Sequence, residues 1–275
     1  MNIKSHLPTQ KSTGHRARKR FGQNFLTSEV TISQLIGAIA AQSGQRIVEI
    51  GPGLGVLTEQ ILASGANLTA IELDRDLIGR LDQCFGSREN FRLINADALT
   101  VDFSNFGANK IRIIGNLPYN ISTPMIFHLL KAREQIEDMH FMLQKEVVKR
   151  LCSRCGSSAW GRLGIMVQYQ CEVTELFEVP PESFDPPPKV NSAVVRLKPH
   201  DKYDRNIDIS TLEKIVRIAF NKRRKTLRNA LKEMFTEEQI SDAGIDSKLR
   251  PENLAIEQYI TLTKLLNVSK LGHRE

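Results

Sequence analysis

The chain is poor in the features that mark stapled, exported or membrane-spanning proteins. Its 275 residues include only 4 cysteines, Cys84, Cys152, Cys155 and Cys171, too few for a disulfide framework. No stretch approaches the roughly 18 uncharged apolar residues that cross a bilayer, and no apolar leader opens the chain. A reducing cytoplasm is the expected setting, with no membrane attachment. The Cys152 and Cys155 pair lacks the second pair that a zinc site needs, and the histidines show no ligand spacing, so no metal is expected. No Ser, Cys or His triad is spaced for covalent catalysis.

What is present is enough apolar content, 41%, to fill the core of one full-sized domain and a small accessory one. The formal charge of +7 is local. Lys4, Lys11, Arg16, Arg18, Lys19 and Arg20 face no acidic residue in the first twenty positions, which leaves only +1 for the remainder. A second cluster runs through Arg217, Lys222, Arg223, Arg224, Lys225, Arg228 and Lys232, again without an intervening acid. Two separated basic clusters on a near-neutral body suit a phosphate backbone, although either alone also reads as a solvated tail or helix face.

Residues 1–20 lack apolar periodicity and are expected to be a disordered basic tail. A first helix is expected over Ser28 to Ala41. Short apolar runs then alternate with helical stretches. The runs are Arg46 to Ile50, Leu68 to Leu73, Phe91 to Asn95, Ile111 to Gly115 and His140 to Leu143; the helices include Leu57 to Ala63 and Arg75 to Phe85. That alternation predicts a mostly parallel, doubly wound α/β sheet covered on both faces. Cys171 to Val179 and Val190 to Leu197, joined by the proline-dense Pro180 to Pro188, add an antiparallel hairpin and bring the sheet to seven strands. Beyond Pro199 the texture is helical, over Leu212 to Phe220, Thr226 to Phe235 and Ile256 to Leu266. The expected division is a tail over 1–20, a main domain over 21–204 and a small all-helical domain over 205–275.

Gly51, Gly53 and Gly55 directly follow the first strand, where glycines let a ligand approach the carboxyl edge of the sheet. Val56 stands where a dinucleotide fold would want its third glycine, so the spacing fits a nucleoside carried without phosphates. Glu72 ends the next strand about twenty residues on, placed for ribose hydroxyls. Asp97 ends the third, placed for an adenine amino group or, equally, for a helix cap. Two carboxylates around one crevice also suit a cationic sulfonium.

The fourth strand leads into Asn116, Leu117, Pro118 and Tyr119. An adenine amino nitrogen is a poor nucleophile because its lone pair is delocalised into the ring. An Asn oxygen and a neighbouring backbone carbonyl can each accept one amino hydrogen and turn that lone pair toward a sulfonium methyl. Pro118 stiffens the turn, and Tyr119 offers a face for a base taken out of its stack. The same tetrapeptide also reads as a strand-to-helix turn with an Asn cap and a buried Tyr.

Asn116 to Tyr119 resembles the target-base motif of the adenine N6 methyltransferases, and Leu at its second place is similar to the ribosomal RNA adenine dimethyltransferases. The resemblance covers nearly the whole chain. It includes Arg20, Phe21, Gly22, Gln23, Asn24, Phe25 and Leu26 as an opening motif, and Phe184, Pro186, Pro188, Lys189, Val190 and Ser192 as a late one. It implies a class I, Rossmann-like methyltransferase that uses S-adenosyl-L-methionine. Asn24 and Leu26 would close over the methionine end, Gly51, Glu72, Asp97 and Asn116 would hold the rest, and Phe184 would be a second aromatic wall for the base. Trp160 to Leu163 and Phe220 to Leu227 most resemble the bacterial housekeeping branch. That branch dimethylates two adjacent adenines near the 3′ end of 16S rRNA in the immature small subunit. On this reading the protein works as a monomer, and Lys222, Arg223, Arg224, Lys225 and Arg228 contact rRNA. The competing readings are an RNA-binding factor without turnover and a methyltransferase of large-subunit rRNA. Trp160, where many members carry Tyr, is the chief departure, and it can either pack or stack on RNA.

Overall fold

The computed structural model describes residues 23–107, 109–204 and 206–271. The basic tail and Arg20 to Gly22 of the opening motif lie outside the described residues. The chain divides into two compact units, one running to Val148 and resuming over Glu172–Pro199, the other formed by Lys149–Cys171 and the residues from His200 on.

The first unit opens with β1 (Phe25–Leu26) and α1 (Glu29–Ile39) and then alternates β2 (Arg46–Ile50), α2 (Val56–Ala63), β3 (Asn67–Glu72), α3 (Arg75–Phe85) and β4 (Phe91–Asn95). It continues through β5 (Ile111–Asn116), α4 (Ser122–Leu130), β6 (Ile136–Gln144) and the start of α5 (Lys145–Cys152). After α6 (Arg162–Gln168) in the second unit, the chain returns as β7 (Cys171–Val179), β8 (Phe184–Asp185) and β9 (Ser192–Pro199). Side-chain caps fix the helix starts: Ser28 accepts from the Thr31 N–H, and Asp74 from that of Asp76.

Among the described residues the main sheet has 7 strands in the order β4-β3-β2-β5-β6-β9-β7. The pairs within β4-β3-β2-β5-β6 are parallel, and β6 with β9 is antiparallel. Central strands are buried almost throughout, as expected where helices cover both faces, whereas β4 and β7 at the edges are only partly covered. The core joins Ile47 and Leu68 of the sheet to Ile32, Leu35, Ile39, Leu57, Ile61, Leu77 and Leu81 of the helices.

From β2 the chain winds outward through β3 and β4, then restarts at β5 on the other side of β2. β2 and β5 are neighbours in register, with Ile50 opposite Gly115, so Gly51 and Asn116 leave the sheet side by side at the switch point, where open α/β sheets bind ligands. A two-residue ribbon, β1 against β8, pairs Leu26 with Phe184 and Phe25 with Asp185.

The second unit carries α7 (Ile209–Asn221), α8 (Leu227–Ala230), α9 (Glu237–Asp242) and α10 (Ile256–Leu271) besides α6. It differs from the expected 205–275 domain in starting at His200 and in taking in Lys149–Cys171. The single helix expected over Thr226 to Phe235 is the short α8 followed by turns, and Thr236 then begins α9 with a reciprocal capping box to Gln239. Trp160 packs: it is 2% exposed, and its indole N–H donates to the Leu254 carbonyl at 2.9 Å. Among the described residues no helix is long and apolar enough to cross a membrane.

Candidate active site

A cavity of about 390 Å³ opens at the switch point, within the size range of small-molecule sites. Its lining includes Asn24 and Leu26 from the opening motif, Gly51 and Gly53 from the loop after β2, Glu72 and Asp97 from the next two strand ends, and Asn116, Leu117, Pro118 and Tyr119 after β5. Ten sequence-expected positions thus meet in one place.

Two do not line it. Gly55 has a left-handed φ of 83°, and a Cβ there would come within 2.7 Å of the Phe85 ring, so it permits α2 and α3 to pack. Phe184 is 4% exposed and belongs to the core beside Leu26. Its backbone pairs with that of Leu26 in the β1–β8 ribbon, which ties it to the opening motif.

The glycine loop is shaped for close approach. Gly51 has a φ of 66° and nothing within 4 Å of where its Cβ would be, so any side chain there would project into open space at the site. A Cβ on Gly53 would meet the Phe25 ring at 3.1 Å, which fixes how the opening motif lies on the loop. Glu72 is buried. Its Oε1 accepts the N–H groups of Leu73 and Asp74 at 2.9 and 2.8 Å. Burial nonetheless raises its pKa, against those bonds and one from Gly53. Asp97 caps a short helical turn by accepting from the Leu99 N–H at 2.9 Å through Oδ1, and it lines the cavity as well. Asp97 is thus a cap that also stands at the cavity.

Sequence reasoning missed Glu49. It lines the same cavity, is 1% exposed and accepts from the Thr58 hydroxyl at 2.6 Å. Burial pushes its carboxyl up to about 7, the Thr58 bond opposes that, and the nearby Glu72 charge adds to it. Its signal was an acid two residues ahead of the glycine loop, set between the apolar Val48 and Ile50 of a strand.

The Asn116 amide has a defined orientation: its Nδ2 donates to the Asn24 carbonyl at 3.1 Å, so Oδ1 is the atom left to accept. Leu117 donates its N–H to the Met142 carbonyl at 3.2 Å. The Tyr119 hydroxyl lies 2.9 Å from the Oγ of Ser192, a buried residue of β9.

The basic cluster of the second unit is partly self-neutralised. Lys222 pairs with Glu233 at 3.0 Å and Arg228 with Glu237 at 3.1 Å. Arg223 donates to the Ser158 carbonyl at 2.8 Å, with its Nε 3.6 Å from Glu252. Arg224 and Lys225 are exposed and have no ion-pair partner among the described residues.

A doubly wound sheet with a glycine loop, two acidic strand ends and an Asn-Leu-Pro-Tyr segment around one cavity defines a class I methyltransferase. The chain is similar to a dimethyladenosine transferase from Plasmodium falciparum, with a TM-score of 0.76 and 26% identity over 90% of this chain and 98% of that one. The 23S rRNA methyltransferase ErmE shares the fold, with a TM-score of 0.71 and 24% identity over 89% and 100%. Residues 14–268 match the family model described as ribosomal RNA adenine dimethylase, and the chain belongs to that family. A relative from Pseudomonas syringae pv. syringae named ribosomal RNA small subunit methyltransferase A is 53% identical over 92% of this chain and 96% of its own. One of the same name from Shewanella oneidensis is 50% identical over 97% and 98%.

Proposed function

We propose that the chain transfers methyl groups to the N6 atoms of two adjacent adenines near the 3′ end of 16S rRNA, giving N6,N6-dimethyladenosines during small-subunit maturation. Membership of the rRNA adenine dimethylase family and relatives named for the small subunit support the substrate. The observation that carries the chemistry is the register of Ile50 with Gly115, which sets the glycine loop and Asn116 at one cavity.

S-adenosyl-L-methionine, when bound, supplies a sulfonium methyl group. The open space beside Gly51 and the buried carboxylates of Glu49 and Glu72 fit a cationic nucleoside. Glu72 and Asp97 would accept from its ribose and adenine, Gly51 and Gly53 would admit it, Gly55 sets the packing behind the loop, and Asn24 with Leu26 would cover its amino-acid end.

Asn116 Oδ1 and the Leu117 carbonyl each accept one hydrogen of the target amine, which localises the nitrogen lone pair toward the methyl. The Asn24 bond fixes the first acceptor, and the Met142 bond and Pro118 fix the second. After one transfer a single N–H remains, so the second transfer needs only one acceptor. Tyr119, tethered through its hydroxyl to Ser192, provides the face for the base, and Phe184 acts by bracing Leu26. The second unit contacts rRNA through Arg224 and Lys225, with Lys222, Arg223 and Arg228 contributing as far as their internal pairs allow. The protein works as a cytoplasmic monomer on the immature particle.

Incubation with methyl-labelled cofactor and unmodified small-subunit particles, followed by mass-spectrometric mapping, tests this. Two adjacent dimethyladenosines in 16S rRNA are expected. Label in 23S rRNA alone, or cofactor binding without transfer, would overturn the assignment.

A further inference from the structure

The second unit contains another cavity, of about 420 Å³, lined by Gly156, Ser157, Ser158, Arg223, Arg250, Glu252 and Asn253. It lies between two loops that are clamped together. The Gly156 N–H donates to the Glu252 carbonyl at 2.8 Å, and the Trp160 indole donates to the Leu254 carbonyl at 2.9 Å. The walls are thus held in place without a ligand, as in preformed sites.

Its polar groups are of both kinds. Arg223 is oriented by its bond to the Ser158 carbonyl, and Arg250 adds a second guanidinium. The Glu252 carboxylate lines the same cavity. Its Oε2 is buried without a hydrogen-bond partner among the described residues, as is Ser157 Oγ, and the nearest cation, Arg223 Nε, is 3.6 Å away. A bare phosphate would satisfy the arginines but be repelled by Glu252. The best match must offer donors to a carboxylate and acceptors to a guanidinium from one face. Guanine does so, with N1–H and N2–H₂ on one edge and O6 and N7 beside it, the pair that Arg reads. Uracil and adenine lack the paired donors and would leave Glu252 with its ion pair to Arg223 but no hydrogen bond to the ligand, which is how such a site rejects them.

We infer that this cavity is a binding site for a single unpaired guanine nucleotide of the RNA substrate. The inference rests on the proposed function, and it gives Arg223 a base-reading role in place of a plain phosphate contact.

The test titrates the full chain with GMP, AMP, UMP and inorganic phosphate, followed by the fluorescence of Trp160, the only tryptophan, and by ligand-observed NMR. GMP should bind at millimolar or better affinity and at least about fivefold more tightly than AMP or UMP, a modest part of the discrimination that one good bidentate contact supplies. Phosphate should not compete. Glu252→Gln should abolish the preference, and Arg250→Met, which leaves the carboxylate in place, should weaken GMP binding. Both variants are checked by circular dichroism, and Arg250→Met keeps the test decisive if Glu252→Gln misfolds. Equal binding of all nucleotides, competition by phosphate, or no GMP binding would each overturn the site. Methyl transfer to small-subunit particles, measured on the same preparation, reports on the proposed function separately.

Discussion

Asn116 has its amide nitrogen committed to the Asn24 carbonyl and its oxygen to spare, and that asymmetry sets what its replacement should cost. Asn116→Ala removes one of two preorganised acceptors and should lower kcat by roughly 100- to 1000-fold, the usual scale for losing one such group. Cofactor affinity should change little, because the remaining ligating groups stay in place. Single-turnover kinetics with calorimetry separate the two effects, and a kcat within a few fold of the parent would sink the role assigned to Oδ1. Glu49 predicts a pH dependence. Its folded-state pKa of about 7 lies above the ordinary 4.5, so its contribution to stability is complete at pH values below 4.5 and is lost as pH rises through about 7. A bound sulfonium favours the ionised carboxyl, so binding should release a proton and tighten by up to about tenfold for each unit that the pH rises toward neutrality. Calorimetry in two buffers of different ionisation enthalpy measures that proton. Glu49→Gln should flatten the profile, and a parent profile already flat would remove Glu49 from cofactor binding.

At the scale of elements, β2, α3, β4 and β7 have the bounds that periodicity and flanking turn residues predict, because each is a local pattern with a local stop. The β1–β8 ribbon had no such signal: two residues on each side cannot display a period, and their pairing joins positions far apart in sequence. It matters to the site all the same, since it sets Leu26 at the cavity and joins Phe184 to it by backbone pairing. β6 begins at Ile136 rather than His140, because Asp138 reads as loop until Arg112 and Arg196 are seen to bond its buried carboxylate at 2.8 to 3.1 Å. Gly115 shows how one element serves another. A Cβ there would lie 2.7 Å from the Ile50 carbonyl and 3.1 Å from a Leu117 methyl. Gly115→Ala should therefore spread β2 from β5, cost about 1 to 3 kcal/mol, and lower both Tm and kcat/KM. Thermal unfolding by circular dichroism checks the first effect, and an unchanged Tm would mean that the strands part without strain.

At the scale of the whole molecule, the discontinuous second unit was hidden because nothing local in Lys149–Cys171 says that Trp160 will bury itself and donate to Leu254. Charge was more legible, but its meaning changed with the fold. In sequence, the run from Lys222 to Arg228 lacks any acid; in space, Glu233, Glu252 and Glu237 come to Lys222, Arg223 and Arg228. Exposed ion pairs of this kind are worth about 0 to 1 kcal/mol, so they do not prevent RNA binding, but they lower the counterion release those three residues can supply. Arg224 and Lys225 carry no such discount. Replacing both with alanine should reduce the slope of log K against log salt, for binding to small-subunit particles, by about 1.5, given roughly 0.7 to 0.9 per phosphate contact. The double replacement of Lys222 and Arg228 should change it by less than half as much. Filter binding across a salt series measures both slopes. Equal slopes for the two variants would show that the internal pairs open on binding and that the whole cluster acts as one surface.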